Sequence, residues 1–178
     1  MRSLRLTLTL AALLTLAALL APAAAQAQER AVIKIPGDHP RYAFEAEPEA
    51  IIPFDAPLSD GPGVGFRGAV PLMHNGFVSS INDSPAIGFG VSRTPIGARH
   101  APLSTSVVLQ WNFWMTTHLS VFGEAGVFVY FDDGDRGPYL HPALMGGGRW
   151  HFTDRVALTL RLSLPNSPSL GLGVSFLL

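Results

Sequence analysis

Four histidines and a scatter of serines are the first residues that suggest chemistry. His74, His118, His141 and His151 are followed by Ser163 and Ser175. A histidine beside a serine, oriented by an acid, is the arrangement of acyl transfer and lipid hydrolysis. No spacing makes these residues converge. His118 falls in a turn pattern, His141 at the start of an alternating run, and His151 beside Phe152-Thr153-Asp154-Arg155. A lipid-modifying enzyme is therefore carried only as an alternative, and no residue is assigned as catalytic.

Other chemistry has simpler explanations. Asp132, Asp133 and Asp135 surround Gly134 and could bind a cation. An Asp-Gly hairpin loop explains them more simply, so no metal and no cofactor is expected. Asn82-Asp83-Ser84 matches a glycosylation sequon by chance. The glycines of GVGFRG at residues 63–68 precede no helix, so they are not a nucleotide loop. More telling are Arg67, Glu124, Arg149 and Arg161, each on the polar side of an alternating run. Several cations on one inner face need partners or water. Such a set reads as a charged constriction or as a salt-bridge plug. The plug is the preferred reading, because a barrel of eight strands leaves little room beyond its side chains. Glu45 and Glu47 could join it.

The elements that position these residues are strands. At the C-terminus Val156, Leu158, Leu160, Leu162 and Leu164 alternate with Ala157, Thr159, Arg161 and Ser163. After a Pro-Asn-Ser-Pro turn, Leu170, Leu172, Val174, Phe176 and Leu178 alternate with Ser169, Gly171, Gly173 and Ser175. A period of two over this length predicts two strands, each with one apolar face. Similar runs occupy residues 63–73, 85–93, 104–115, 119–131 and 139–152. The weakest candidate is 42–54, which carries Pro48 and Pro53. Counting it gives eight strands, the even number that outer-membrane barrels require.

Arg2 and Arg5, an apolar core over residues 6–20, and Ala25-Gln26-Ala27 form the pattern of a cleaved signal peptide over residues 1–27. Residues 28–40 read as a periplasmic lead-in and residues 41–178 as the barrel. Removing the signal takes two positive charges from 12 Lys and Arg set against 13 Asp and Glu, which leaves a weakly acidic chain and argues against a nucleic-acid partner. There is no cysteine and hence no disulfide. Apart from the signal, every apolar run is too interrupted to form a membrane helix.

The turns at 116–118 and 152–155 are short, as periplasmic turns should be, and the loops at 94–103 and 132–138 are longer, as external ones should be. The connection at 74–84 breaks this rule, and a short helix or a fold under the lumen would accommodate it; the loop at 165–168 is external yet short. Arg93, Arg99 and His100 make one external loop mildly basic, able to touch lipopolysaccharide phosphates, though a simple solvated loop accounts for them equally well. Aromatics cluster near strand ends. Trp111, Phe113, Trp114, Trp150 and Phe152 are expected as a periplasmic girdle, with Phe128, Tyr130, Phe131 and Tyr139 as the opposite one. Small residues on the polar face (Gly65, Gly88, Gly126, Gly147, Gly171, Gly173) suit a narrow interior. A secreted soluble β-barrel binding protein is the remaining alternative. It would carry far more Lys and Glu on its outer positions.

Three stretches, NGFVSSINDSPAIGFG, QWNFWMTTHLSVFGEAGVFVY and GGRWHFTDRVALTLRLSLPNSPSLGLGVSFLL, resemble small outer-membrane β-barrel proteins of the porin-like, OmpA-barrel type. The resemblance implies an outer-membrane location, contact with lipid and lipopolysaccharide, and assembly by the barrel-insertion machinery. Members often end on an aromatic insertion signal; here Phe176 and Leu178 occupy that outward face, with leucine last. No solute or oligomeric state is implied. The expectation is an all-β, eight-stranded antiparallel up-and-down transmembrane β-barrel with a non-enzymatic structural or narrow porin-like role.

Overall fold

A computed structural model describes residues 30–54, 62–93, 103–131, 138–164 and 168–178. The strands are β1 (Glu45–Pro53), β2 (Gly63–Pro71), β3 (Asp83–Arg93), β4 (Leu103–Trp114), β5 (Leu119–Phe131), β6 (Tyr139–Thr153), β7 (Val156–Leu164) and β8 (Ser169–Leu177). Each pairs antiparallel with the next, and β1 pairs with β8, so the sheet closes into an eight-stranded transmembrane β-barrel. Closure leaves no sheet edge exposed to lipid.

Alternation decides which way each side chain faces. On β4, Val107 and Leu109 are 56 % and 44 % exposed, while Val108 and Gln110 between them are 2 % exposed. The outward set continues through Val64, Phe66, Ile87, Phe89, Leu160 and Leu172. An apolar exterior around a polar interior inverts the soluble arrangement and suits a hydrocarbon surround.

β1 forms despite its prolines. It pairs with β2 from Glu45↔Ala69 to Ile51↔Gly63. On the β8 side the ladder skips Glu47 and Pro48, resuming at Glu49↔Gly173. Pro48 cannot donate to the ladder, and the gap lies where its N–H would be missing. β6 carries a register shift between His151 and Thr153, beside its turn into β7.

The end that holds Glu45 and Leu177 also holds the tight turns. Thr116 Oγ1 accepts from the N–H groups of His118 (3.2 Å) and Leu119 (3.0 Å). Thr153 Oγ1 does the same for Arg155 (3.2 Å) and Val156 (3.1 Å). A threonine hydroxyl thus stands in for a carbonyl in each turn. The connection at 72–82 is built from bends and turns with no helix, and it folds against the barrel mouth. Residues 31–40 pack against the same mouth, with Val32, Trp114 and Leu177 forming a small apolar cluster. The expected signal peptide at residues 1–27, the aspartates Asp132, Asp133 and Asp135, and Arg99 with His100 lie outside the described residues.

Candidate functional site

The interior at mid-barrel is a buried ion-pair network. Arg67 on β2, Glu124 on β5, Arg149 on β6 and Arg161 on β7 all point inward and are almost fully buried. Arg67 Nη2 donates to Glu124 Oε2 at 2.9 Å. Arg149 Nη2 donates to Glu45 Oε1 at 2.6 Å, and its Nη1 donates to Asn112 Oδ1 at 2.8 Å. Arg161 holds the most partners: Glu47, Glu49 Oε2 at 2.9 Å and Glu124 Oε2 at 3.4 Å. Ser175 Oγ donates to the second oxygen of Glu47 at 2.7 Å. The Gln110 amide is assigned with its nitrogen toward Glu124 Oε1 (2.9 Å), which lets its oxygen accept from Arg149 Nη2 (3.2 Å).

Strand parity assembles the network. Glu45, Glu47 and Glu49 occupy alternate positions of β1 and so share its inner face. Closure brings that face to Arg161 across more than a hundred residues of chain. Phe122 of β5 lies beneath two guanidiniums, with Arg149 Cζ 4.3 Å and Arg161 Cζ 5.0 Å from its ring centroid. Both cations gain cation–π attraction in a dry setting. Four carboxylates thus face three guanidiniums. Glu49, Gln110, Asn112 and Phe122 are members that the sequence reading did not single out. Glu49 had a usable signal, since it continues the parity of Glu45 and Glu47.

Toward the loop end, above the network, lies a cavity of about 80 Å³. Its lining includes Glu49, Arg67, Arg161, Phe128 and Tyr130. The space is large enough to hold several waters. Phe128 packs against the buried cluster of Val108, Ala143 and Met145. Phe128 and Tyr130 therefore project inward, correcting their expected place in an outer girdle. Both lie at even positions of β5, on the same face as Glu124.

Trp111 and Phe113 face outward and stack at 5.2 Å, and Trp150 and Phe152 lie on the outer face of β6. Trp114 does not join them. It is 3 % exposed, points inward, and lies between the stacked ring of His39 and the tilted ring of His151, 4.9 Å from each. Adjacent strand residues face opposite ways, so Phe113 outward forces Trp114 inward. Phe176 and Leu178 face outward beside the chain end.

Trp111 is anchored by a hydrogen bond from Nε1 to Asp83 Oδ2 at 2.7 Å, and Asp83 is 1 % exposed. Trp111→Phe is expected to cost about 1–3 kcal/mol, the penalty of stranding a buried acceptor. Urea unfolding of the micelle-bound barrel measures it. Unchanged stability would mean that water replaces the indole.

Among the described residues the histidines do not assemble a lipid-side catalytic site. His151 Nε2 and Ser120 Oγ lie 2.9 Å apart, but both are buried inside the barrel. His151 Nδ1 has no hydrogen-bond partner. A nucleophile–base pair needs substrate access and an orienting acid, and this pair has neither among the described residues. His118 lies against Trp150, and His141 packs edge-on to Tyr130 and Tyr139. Among the described residues no group of three His, Asp or Glu is placed to hold a metal ion.

This barrel, with an apolar exterior and buried ion pairs inside, has the fold of small eight-stranded outer-membrane β-barrels. The chain is similar to a structure from the de novo design of transmembrane β-barrels, with a TM-score of 0.51, 12 % identity, 82 % of this chain covered and 99 % of that one. It is also similar to the outer membrane protein Ail of Yersinia pestis in a phospholipid bilayer nanodisc, with a TM-score of 0.50, 12 % identity, 76 % of this chain covered and 99 % of that one. At these identities the likeness is one of fold. No protein-family model matches the chain, and no curated protein matches it.

Proposed function

We propose that the chain is an outer-membrane barrel with a closed lumen, non-enzymatic, serving as a structural element or a narrow porin-like protein. The observation that supports this reading is the buried network of Arg67, Arg149 and Arg161 with Glu45, Glu47, Glu49 and Glu124, whose side chains reach into the lumen from five strands. The tight turns face the periplasm in this reading and the longer loops face outside, as the length asymmetry of outer-membrane barrels favours. Residues 1–27 act as a cleaved signal. Trp111, Phe113, Trp150 and Phe152 sit at headgroup level, where amphipathic rings are favoured. Phe176 and Leu178 serve as the insertion signal read by the barrel-insertion machinery. The outer surface contacts lipid and lipopolysaccharide.

Planar-bilayer recording of the purified, folded protein tests the closed lumen. The expected trace is silent, or shows only rare brief openings, at neutral pH. A steady open conductance in every insertion would overturn the plug. Location is checked separately by membrane fractionation and a heat-modifiability gel shift. Recovery as a soluble periplasmic protein without that shift would sink the outer-membrane assignment.

A further inference from the structure

The tight-turn mouth has a closure of its own, separate from the charge network. Residues 31–40 lie across it. Val32 is 1 % exposed and packs on Trp114 and Leu177, with Tyr42 alongside. The Val32 N–H donates to Met115 O at 3.0 Å, and the Asn82 N–H donates to Ile33 O at 2.6 Å. An isolated bridge joins Ala31 to Thr116.

Asn82, wholly buried, is the clasp. Its nitrogen donates to Asp38 O at 2.9 Å, so its oxygen faces the Gly37 N–H at 3.2 Å and His39 Nδ1 at 2.6 Å. That acceptor assigns the hydrogen to His39 Nδ1 and leaves Nε2 as the base. The His39 ring lies flat on Trp114, 4.9 Å away at 5°. On its other flank the His74 ring is 4.2 Å away, and His74 Nε2 donates to Gly37 O at 3.1 Å. The titratable groups facing His39 are therefore His74 from the 72–82 connection, Asp38 beside it in the chain, and His151 of β6 behind Trp114. The Trp114 face attracts a charged imidazole. Burial, the largest influence, opposes the charge, as does the electrostatic field of His74, while the hydrogen bonds at Asn82 and the His74 backbone, and Asp38, favour it; the balance lies against it.

We propose that residues 31–40 are an acid-released plug of this mouth, undocked when His39 takes a proton beside His74. The sign follows from linkage. Burial, the largest cause, lowers the docked His39 pKa below its ordinary 6.5, while a released His39 keeps the ordinary value. Docking is fully favoured above that pH and weakens as pH falls through and below it. The limit is about tenfold in the closed-to-open ratio per pH unit for each proton taken up. The inference concerns the mouth alone and holds whether or not the lumen conducts.

The chain has no cysteine, so Ile35→Cys, at a position 41 % exposed, accepts a single nitroxide label. Electron paramagnetic resonance of the labelled, folded barrel in phospholipid vesicles then reports docking directly. The expected spectrum is immobilised at pH 7.5, with a mobile component that grows reversibly below about 6.5, where an unperturbed imidazole charges. His39→Gln keeps a donor toward Asn82 but takes no proton, and is expected to stay immobilised at pH 5. His39→Arg is expected to be mobile at pH 7.5. A parent spectrum unchanged between pH 7.5 and 5 overturns the proposal, as does an unaltered transition in His39→Gln. Should the glutamine fail to hold the segment at pH 7.5, His74→Gln decides. A midpoint moved to lower pH supports the proposal, and an unmoved one overturns it. Heat-modifiability of each variant confirms that the barrel itself is closed.

Discussion

Replacing Arg161 with methionine is expected to destabilise the folded barrel by about 3–5 kcal/mol, the cost of removing one partner from a buried ionic cluster. Arg161 is 4 % exposed and touches Glu47, Glu49 and Glu124. Its loss leaves those three carboxylates with less compensation than their desolvation requires. Arg67 still reaches Glu124, but Arg149 is committed to Glu45 and Asn112. The methionine retains most of the packing volume against Phe122, so lost charge rather than a cavity dominates. Urea unfolding in micelles, followed by tryptophan fluorescence, reads the change. Replacing Glu47 with glutamine in the same chain should recover part of the loss, since removing both partners of a buried pair costs less than removing one. A single variant within about 1 kcal/mol of the parent would show that the cluster behaves like a screened surface pair.

The barrel was legible because period two is a strong signal when one face must meet lipid. Val156 to Leu164 could alternate as it does only as a strand with an apolar side, and β7 has those bounds. Residues 42–54 were harder. Pro48 argues against a strand by local rules, yet strand closure overrides it, because an unpaired edge in a membrane is costlier than one missing ladder bond. The aromatic positions were legible only by parity. Trp111 and Phe113 share the outer face. Trp114, Phe128 and Tyr130 fall on the inner one, although clustering in sequence made them look like girdle residues.

Within the lumen, parity alone puts Arg67, Glu124, Arg149 and Arg161 inside. It does not say which carboxylate meets which guanidinium. That depends on the stagger of β1 against β8 and on closure, both non-local. The mouth was hidden for a different reason. His39 and Asn82 sit in segments with no period, and their pairing spans 43 residues. Sequence rules for turns describe neighbours, not the docking of one irregular segment on another.

Gly147→Ala is expected to be at least as damaging as the loss of Arg161, by a purely steric route. A Cβ at Gly147 would stand 2.1 Å from Leu160 O, 2.6 Å from Phe122 Cζ and 3.1 Å from Arg161 Cα. Two of those three atoms are backbone of the neighbouring strand, so no rotamer change relieves the clash. The β6–β7 ladder must spread where Gly147 pairs with Arg161, and Phe122 must leave its place beneath the guanidiniums. Overpacking of a side-chain core typically costs about 1–3 kcal/mol, and a backbone clash in a closed ladder should exceed that. Gly123, on the outer face of the preceding strand β5, is the control: a Cβ there meets nothing within 4 Å. Gly123→Ala should stay within about 0.5 kcal/mol of the parent, as surface substitutions do. Heat-modifiability and urea midpoints compare the two. Equal stability of both alanine variants would mean that the barrel breathes enough at β6–β7 to admit a methyl group, and the tight interior inferred from its inward glycines would have to be abandoned. Loss of folding in Gly147→Ala alone ties the glycine's small size to closure of the strand pair that carries Arg161.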